Sequence, residues 1–337
     1  MDMKPRVTLC LALIGSLSSC ASVTELPDGY VVPGPLPQEQ RAKFCYTPAP
    51  LVETLNLIKE KKAYRVYEAE IHANLEGFDE DSPITFEYYE QTTEEPSAVA
   101  ILMPILNGQK HVMRPFARHF AKKGYAVVII DNVQRKTLLS DLKNPDLAIR
   151  QVVKQHRRVI DWAESRPELD VSRLSVFGAS LGGFNALYLA AIDERVKVAA
   201  IALVGGSLSQ VLVNSNERRI EEAVDAAQSD LGLSDAQFGE YLDAKIETDT
   251  LLVARHVNAD RMQMILAKYD KAVPYQNQQE LYTAMGQPDA ITLPTGHVTA
   301  AAYIFYLRSS VRKFFDRELA ADSTSGTAVT DAIDCPY

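Results

Sequence analysis

A chain of 337 residues with 47% apolar and 23% charged residues can bury one large α/β core or two small ones, and this composition selects no function. The balance of 35 Lys and Arg against 44 Asp and Glu gives a formal net charge of −9 without a clustered basic excess, so no nucleic-acid partner is expected.

In chain order, Lys4 and Arg6 form a positive start and residues 7–17 an apolar run too short to span a membrane, which together read as an export signal. The run ends in Leu17-Ser18-Ser19-Cys20, which resembles the lipobox of bacterial lipoproteins. That resemblance implies cleavage before Cys20, acylation of Cys20, and a mature chain hanging from a membrane by acyl chains. Ala21, where other lipoproteins carry Asp, resembles those forwarded to the outer membrane. The expected location is the bacterial cell envelope, facing the periplasm or the outside. Residues 1–19 are then the signal peptide, and residues 20–50, rich in Pro, Gly and polar residues, a tether with little regular structure. With Cys10 in the signal and Cys20 acylated, Cys45 and Cys335 remain, and an oxidising compartment makes a disulfide between them the expectation.

A short helix is expected near 51–62. Residues 63–75 and 84–92 alternate in polarity and carry Tyr, Val, Ile and Phe, so with the turn-forming stretch between them they read as an antiparallel hairpin. From Val99 the texture changes. Residues 99–103 and 125–131 are continuous apolar runs of the kind buried on both faces of a sheet, and the helical pattern between them, 112–123, is closed by Gly124. The alternation continues with a helix over 146–165, a strand over 174–177, a helix over 182–191 and a strand over 198–204. Repeated strand–helix–strand order predicts an α/β fold with a doubly wound, mostly parallel sheet and helices on both faces. Residues 207–260 interrupt the rhythm with charged helical sequence and read as an inserted cap. A strand over 262–268, a helix over 276–285, a strand over 290–293 and a last helix over 298–317 complete one catalytic domain spanning 51–319. A polar tail, 320–337, follows.

Between the strand at 174–177 and the helix after it stands Gly178-Ala179-Ser180-Leu181-Gly182. A Gly-x-Ser-x-Gly turn can hold a serine on a sharp, strained strand-to-helix bend where only small neighbours fit. The following helix then aims its free N–H groups and positive end at a developing oxyanion. The five-residue pattern alone arises by chance in roughly one chain in ten of this length. Its weight comes from context. In an open parallel sheet, active groups gather beyond the carboxyl ends of the strands, and Ser180, Asp270 and His297 each follow a predicted strand. A serine hydroxyl needs a base within hydrogen-bond reach, and the base needs a carboxylate to fix its tautomer.

The elbow, the segment Tyr269-Asp270-Lys271-Ala272-Val273-Pro274 and the dipeptide Gly296-His297 resemble those of the α/β-hydrolases, over about residues 63–317. The Val-Pro after the acid resembles the dienelactone-hydrolase and peptidase-like branches. The resemblance implies Ser180 as nucleophile, His297 as general base and then acid, and Asp270 as orienting carboxylate, with Asp249 in the cap as a fallback. It also implies an oxyanion hole made by the Leu181 N–H and a second donor from Pro104-Ile105-Leu106-Asn107-Gly108. The strand end puts Ile105 at that donor position, with Leu106 the alternative, and Met103-Pro104 stands where many family members carry His-Gly.

No cofactor or metal is expected. His72, His156 and His256 have no partner at ligand spacing, and Gly205-Gly206 lacks the dinucleotide-binding pattern. His111 and His119 share a basic helical face with Arg114, Arg118 and Lys122 that reads as solvated. The expected function is an exported, membrane-tethered serine hydrolase acting through an acyl-enzyme on a small ester, or on an amide or peptide-like substrate. Acyl transfer to an alcohol uses the same chemistry. The alternative is a non-catalytic envelope lipoprotein that keeps the fold as a binding or assembly module.

Overall fold

A computed structural model describes residues 34–47, 50–72, 75, 83–106, 110–131, 139 and 141–325. The signal segment, Cys20, Asn107, Gly108 and Cys335 lie outside the described residues, and so therefore does the expected Cys45–Cys335 pairing.

The chain enters through helix α1 (Gln38–Ala42) and three strands, β1 (Val52–Glu60), β2 (Tyr64–His72) and β3 (Ile84–Gln91). The α/β alternation follows: β4 (Ser97–Met103), α2 (Lys110–Ala121), β5 (Ala126–Ile130), α3 (Pro145–Glu164), β6 (Leu169–Ala179), α4 (Leu181–Ile192) and β7 (Val196–Ala202). After four cap helices, α5 (Leu208–Asn214), α6 (Arg218–Leu231), α7 (Asp235–Lys245) and α8 (Thr250–Ala254), the rhythm resumes. It ends with β8 (Met262–Ala267), α9 (Tyr275–Ala284), β9 (Asp289–Leu293) and α10 (Ile304–Ser325). The nine strands form one sheet in the order β1-β2-β3-β5-β4-β6-β7-β8-β9. Strands β4 to β9 run parallel and β1 to β3 antiparallel at one edge. This is the α/β-hydrolase architecture, with the hairpin of β2 and β3 as expected.

The buried runs explain the layers. All seven residues of β4 and all five of β5 are buried, so both faces of the central sheet need covering. On one face α2 turns Met113, Phe116, Ala117 and Phe120 inward at helical spacing, against Phe177 and α10's Phe314 and Phe315. On the other, α3 and α4 pack Trp162, Val153, Leu187 and Tyr188 against Ile101, Val128 and Val176. On the basic face of α2, His111, Arg118 and Lys122 are exposed as expected, and Arg114 donates from Nε to the buried carboxylate of Glu87 at 3.0 Å.

Three expectations are corrected. Residues 51–62 are not a helix: β1 pairs antiparallel with β2, Val52 opposite His72 and Glu60 opposite Arg65. This edge strand is almost wholly exposed, so it carries no burial alternation to betray it; the ladder with β2 decides its conformation. The C-terminal part of the expected tether is folded onto the domain. Leu36 and Phe44 are buried in the core, and the Tyr46 hydroxyl donates to Asp161 at 2.7 Å. Apolar anchors in a Pro-rich segment hold it down despite its composition. Finally, the last helix runs past the expected tail boundary at 320, to Ser325. Among the described residues no helix is long and apolar enough to cross a membrane.

Candidate active site

Strand β6 ends one residue before Ser180, and α4 begins one residue after it, so the serine is the whole of the bend. Its backbone sits at φ 51 and ψ −126, a conformation that L-residues avoid and that holds here because the surroundings over-determine it. Ser180 N donates to Ala202 O of the neighbouring strand at 2.8 Å, and Ser180 O accepts from Gly183 N at 2.8 Å. The flanking glycines are dictated by contact. A Cβ on Gly178 would stand 2.0 Å from Gly182 O, and one on Gly182 would stand 2.1 Å from Met103 O and 2.5 Å from Pro104 O. The second pair of distances also shows that the segment leaving β4 packs directly against the elbow.

His297 follows β9 and Asp270 follows β8, and the fold brings both to Ser180. The His297 Nε2 lies 3.0 Å from Ser180 Oγ, and its Nδ1 lies 2.7 Å from Asp270 Oδ2. With Asp270 Oδ2 as acceptor, Nδ1 carries the hydrogen and Nε2 is left as the base facing the serine. The Asp270 side chain is fully buried while that of His297 retains 19% of its exposure, so the carboxylate is shielded and the imidazole is reachable.

The carboxylate is held from every side. Its Oδ1 accepts from Ala272 N at 2.9 Å and Val273 N at 3.0 Å, and its Oδ2 accepts from Gln278 Nε2 at 3.1 Å. Gln278, on α9, is itself completely buried. Its amide also donates to Val273 O at 2.8 Å and accepts from Ala267 N at 3.0 Å, tying the acid loop to the end of β8. Sequence reasoning missed Gln278; the one available signal was a polar residue on the inward side of a helix directly after the acid loop. Thr299 was missed as well. Its hydroxyl accepts from Gly296 N at 2.9 Å and donates to Gly296 O at 3.2 Å, closing a turn around His297.

Leu181 begins α4, so its N–H has no intrahelical carbonyl to bond and points from the positive helix end. Ile105 and Leu106 are half-buried in the segment after β4, and Pro104 there has no N–H to give. The fallback acid, Asp249, is engaged elsewhere. It caps α8 by accepting from Leu251 N at 2.8 Å and anchors the cap by accepting from Leu208 N at 2.7 Å. Asp131, just after β5, pairs with Lys110 at 2.9 Å. Among the described residues no cluster of three or more His, Cys, Asp or Glu could hold a metal.

Solved structures share this architecture at low identity. Acetyl xylan esterase 1 from Thermoanaerobacterium matches with a TM-score of 0.61 at 16% identity, covering 82% of this chain and 95% of that one. An acetyl xylan esterase from Paenibacillus matches with a TM-score of 0.60 at 18% identity, over 83% of this chain and 92% of that one. In sequence, an uncharacterized 31.7 kDa Escherichia coli protein of the traX-finO intergenic region is 31% identical over 150 residues, 42% of this chain and 48% of that protein. This chain thus spans about half the length of the curated relative it matches. The profile of the dienelactone hydrolase family covers residues 86–260, which include the hairpin's second strand, the central parallel strands, the elbow and the cap. On that match and on the sheet that carries it, the chain belongs to the dienelactone hydrolase family.

Proposed function

We propose that the protein is a serine hydrolase that cleaves a carboxylic ester through an acyl-enzyme. The observation that carries this is the continuous chain from Ser180 Oγ through His297 to Asp270, at 3.0 and 2.7 Å, on a positive-φ elbow. Ser180 Oγ attacks the ester carbonyl carbon while His297 Nε2 takes its proton. The carbonyl π electrons move to oxygen, where the Leu181 N–H and a donor from the Ile105–Leu106 backbone receive the charge. Collapse expels the alcohol oxygen, which takes the proton from Nε2. Water then repeats the sequence on the acyl-serine and frees the acid. Throughout, buried Asp270 keeps the imidazole in one tautomer and stabilises its protonated form. An ester is favoured over an amide because the similar solved folds include acetyl xylan esterases.

The test is turnover of short 4-nitrophenyl esters together with labelling by a fluorophosphonate probe. Ser180→Ala is expected to abolish labelling and reduce kcat by about 10⁴-fold or more. Unchanged turnover in that variant rejects the assignment, and an unlabelled, inactive but folded parent favours a binding module instead.

Attachment to the bacterial envelope through acylated Cys20 is part of the same reading, supported by Lys4, Arg6, the apolar run of residues 7–17 and Leu17-Ser18-Ser19-Cys20. Cys20→Ser is expected to lose palmitate-analogue incorporation and leave the membrane fraction. The Cys45–Cys335 disulfide is tested by thiol titration of unreduced protein, where two reactive groups reject it.

A further inference from the structure

Beside the elbow lies a cavity of about 40 Å³ between α3, α4 and the first cap helix. Leu181, the residue after Ser180, lines it, as does Leu208 of the cap. So do Asp131, Gln155, His156 and Asn185, a polar set in an otherwise apolar wall. Gln155, His156 and Asn185 are all buried, and His156 Nδ1 has no hydrogen-bond partner among the described residues. The side chains of Gln155 and Asn185 line the same space. Asp131 gives one oxygen to Lys110, while its Oδ1 is buried without a partner. Buried polar groups are ordinarily satisfied by the protein or by a bound polar molecule such as water. His156 Nδ1 on α3 and Asp131 Oδ1 after β5 are unpaired on one cavity that the Asn185 and Gln155 amides also line, which fits this space for a polar guest.

The sheet order says which part of a substrate this space faces. His297 must reach the leaving oxygen, and it arrives with Asp270 from β9 and β8, on one side of β6. The cavity lies on the other side, at the ends of β5 and β3, where Ile130 and Ile84 line it. The alcohol therefore departs on the His297 side, and the acyl group extends toward the cavity. At about 10–15 Å³ for each water-sized group, the space accepts about three heavy atoms. Its chemistry selects their kind. Burial pushes the His156 imidazole down to about 4, so it is neutral at pH 7, and Asp131 is already paired with Lys110, so the lining offers no unpaired charge to an ionic guest. A hydroxyl donates one hydrogen bond and accepts up to two, so it can give its hydrogen to Asp131 Oδ1 while accepting from an imidazole N–H and an amide N–H.

We infer that this cavity is an acyl subsite that selects short acyl groups ending in a neutral hydroxyl, held by Asp131, His156 and Asn185. The inference rests on Ser180 being the nucleophile, and its test separates the two. Two esters of equal acyl size are compared, 4-nitrophenyl 3-hydroxypropionate and 4-nitrophenyl butyrate. The unaltered chain is expected to favour the hydroxylated ester in kcat/KM by about tenfold or more, because a site with unpaired buried polar groups rejects the analogue lacking the hydroxyl. Asn185→Leu and His156→Phe, each checked for folding by thermal melting, are expected to lower that ratio by about tenfold. Turnover of both esters by the unaltered chain without preference overturns the subsite alone, whatever the variants do. A ratio unchanged in both folded variants also overturns it. Failure to cleave either ester, with no fluorophosphonate labelling, overturns the Ser180 reading and the subsite with it.

Discussion

Replacing Gln278 by Leu removes the one side chain that binds both the acid and the strand before it. The substitution keeps the volume close and deletes three hydrogen bonds, to Asp270 Oδ2, Val273 O and Ala267 N. Asp270 keeps its two backbone donors and His297, so the carboxylate stays buried and held, with one fewer contact on the oxygen that faces the imidazole. A hydrogen bond to a charged group contributes about 1.5–3 kcal/mol, which converts to a loss of about 10- to 160-fold if it is felt fully in the transition state. The loss should fall on kcat and leave KM nearly unchanged, since Gln278 touches the acid and not the substrate. Separately, the orphaned Ala267 N–H and Val273 C=O cost about 1–3 kcal/mol each in stability. Urea unfolding reads the second effect and steady-state ester hydrolysis the first, at a temperature where the variant is folded. Gln278→Glu tests the electrostatics at nearly constant shape. A second carboxylate beside Asp270 should lower kcat further than Leu does, because like charges in a buried site oppose each other's ionisation. A kcat within threefold of the parent in both variants would refute the view that Gln278 positions the acid.

Two further expectations follow from the geometry. Gly182→Ala would put a methyl carbon 2.1 Å from Met103 O, so the segment after β4 or the elbow must shift by more than an ångström; a displacement of that order costs about 100-fold in kcat/KM with the circular dichroism spectrum kept, and an active variant rejects the close approach. His156 titrates near 4 instead of 6.5 because burial disfavours its charged form. Between those values the unfolded chain binds a proton that the folded chain refuses, so His156 destabilises the fold as pH falls from 6.5 toward 4, by about 2 kcal/mol at pH 5. His156→Gln escapes this penalty, and its melting temperature should drop less than the parent's between pH 7 and pH 5. Equal drops count against a buried neutral imidazole.

How far the sequence could be read depends on whether the residues carried their own signal. The parallel strands were legible because a strand covered on both faces must be a continuous apolar run, as β4 and β5 are. The elbow was legible because backbone crowding leaves only glycine at 178 and 182. Ser180, Asp270 and His297 were legible because each stands just beyond the end of an apolar strand. By contrast β1 is nearly all exposed, so its residues show no inward face, and only the backbone ladder to β2 makes it a strand. Leu36 and Phe44 looked like isolated apolar residues in a polar tether, and the pocket that receives them is assembled from segments far away in the chain.

The sequence by itself determined the order of elements from β2 onward, the parallel sheet and the three residues at the strand ends, since these follow from local polarity, turn chemistry and chain order. Tertiary structure alone decided the distances among them, the role of Gln278 and the polar cavity beside Leu181. Those depend on which side chains from α3, α4 and α9 are buried together, and a buried polar group is recognised only by the partners it has or lacks in three dimensions.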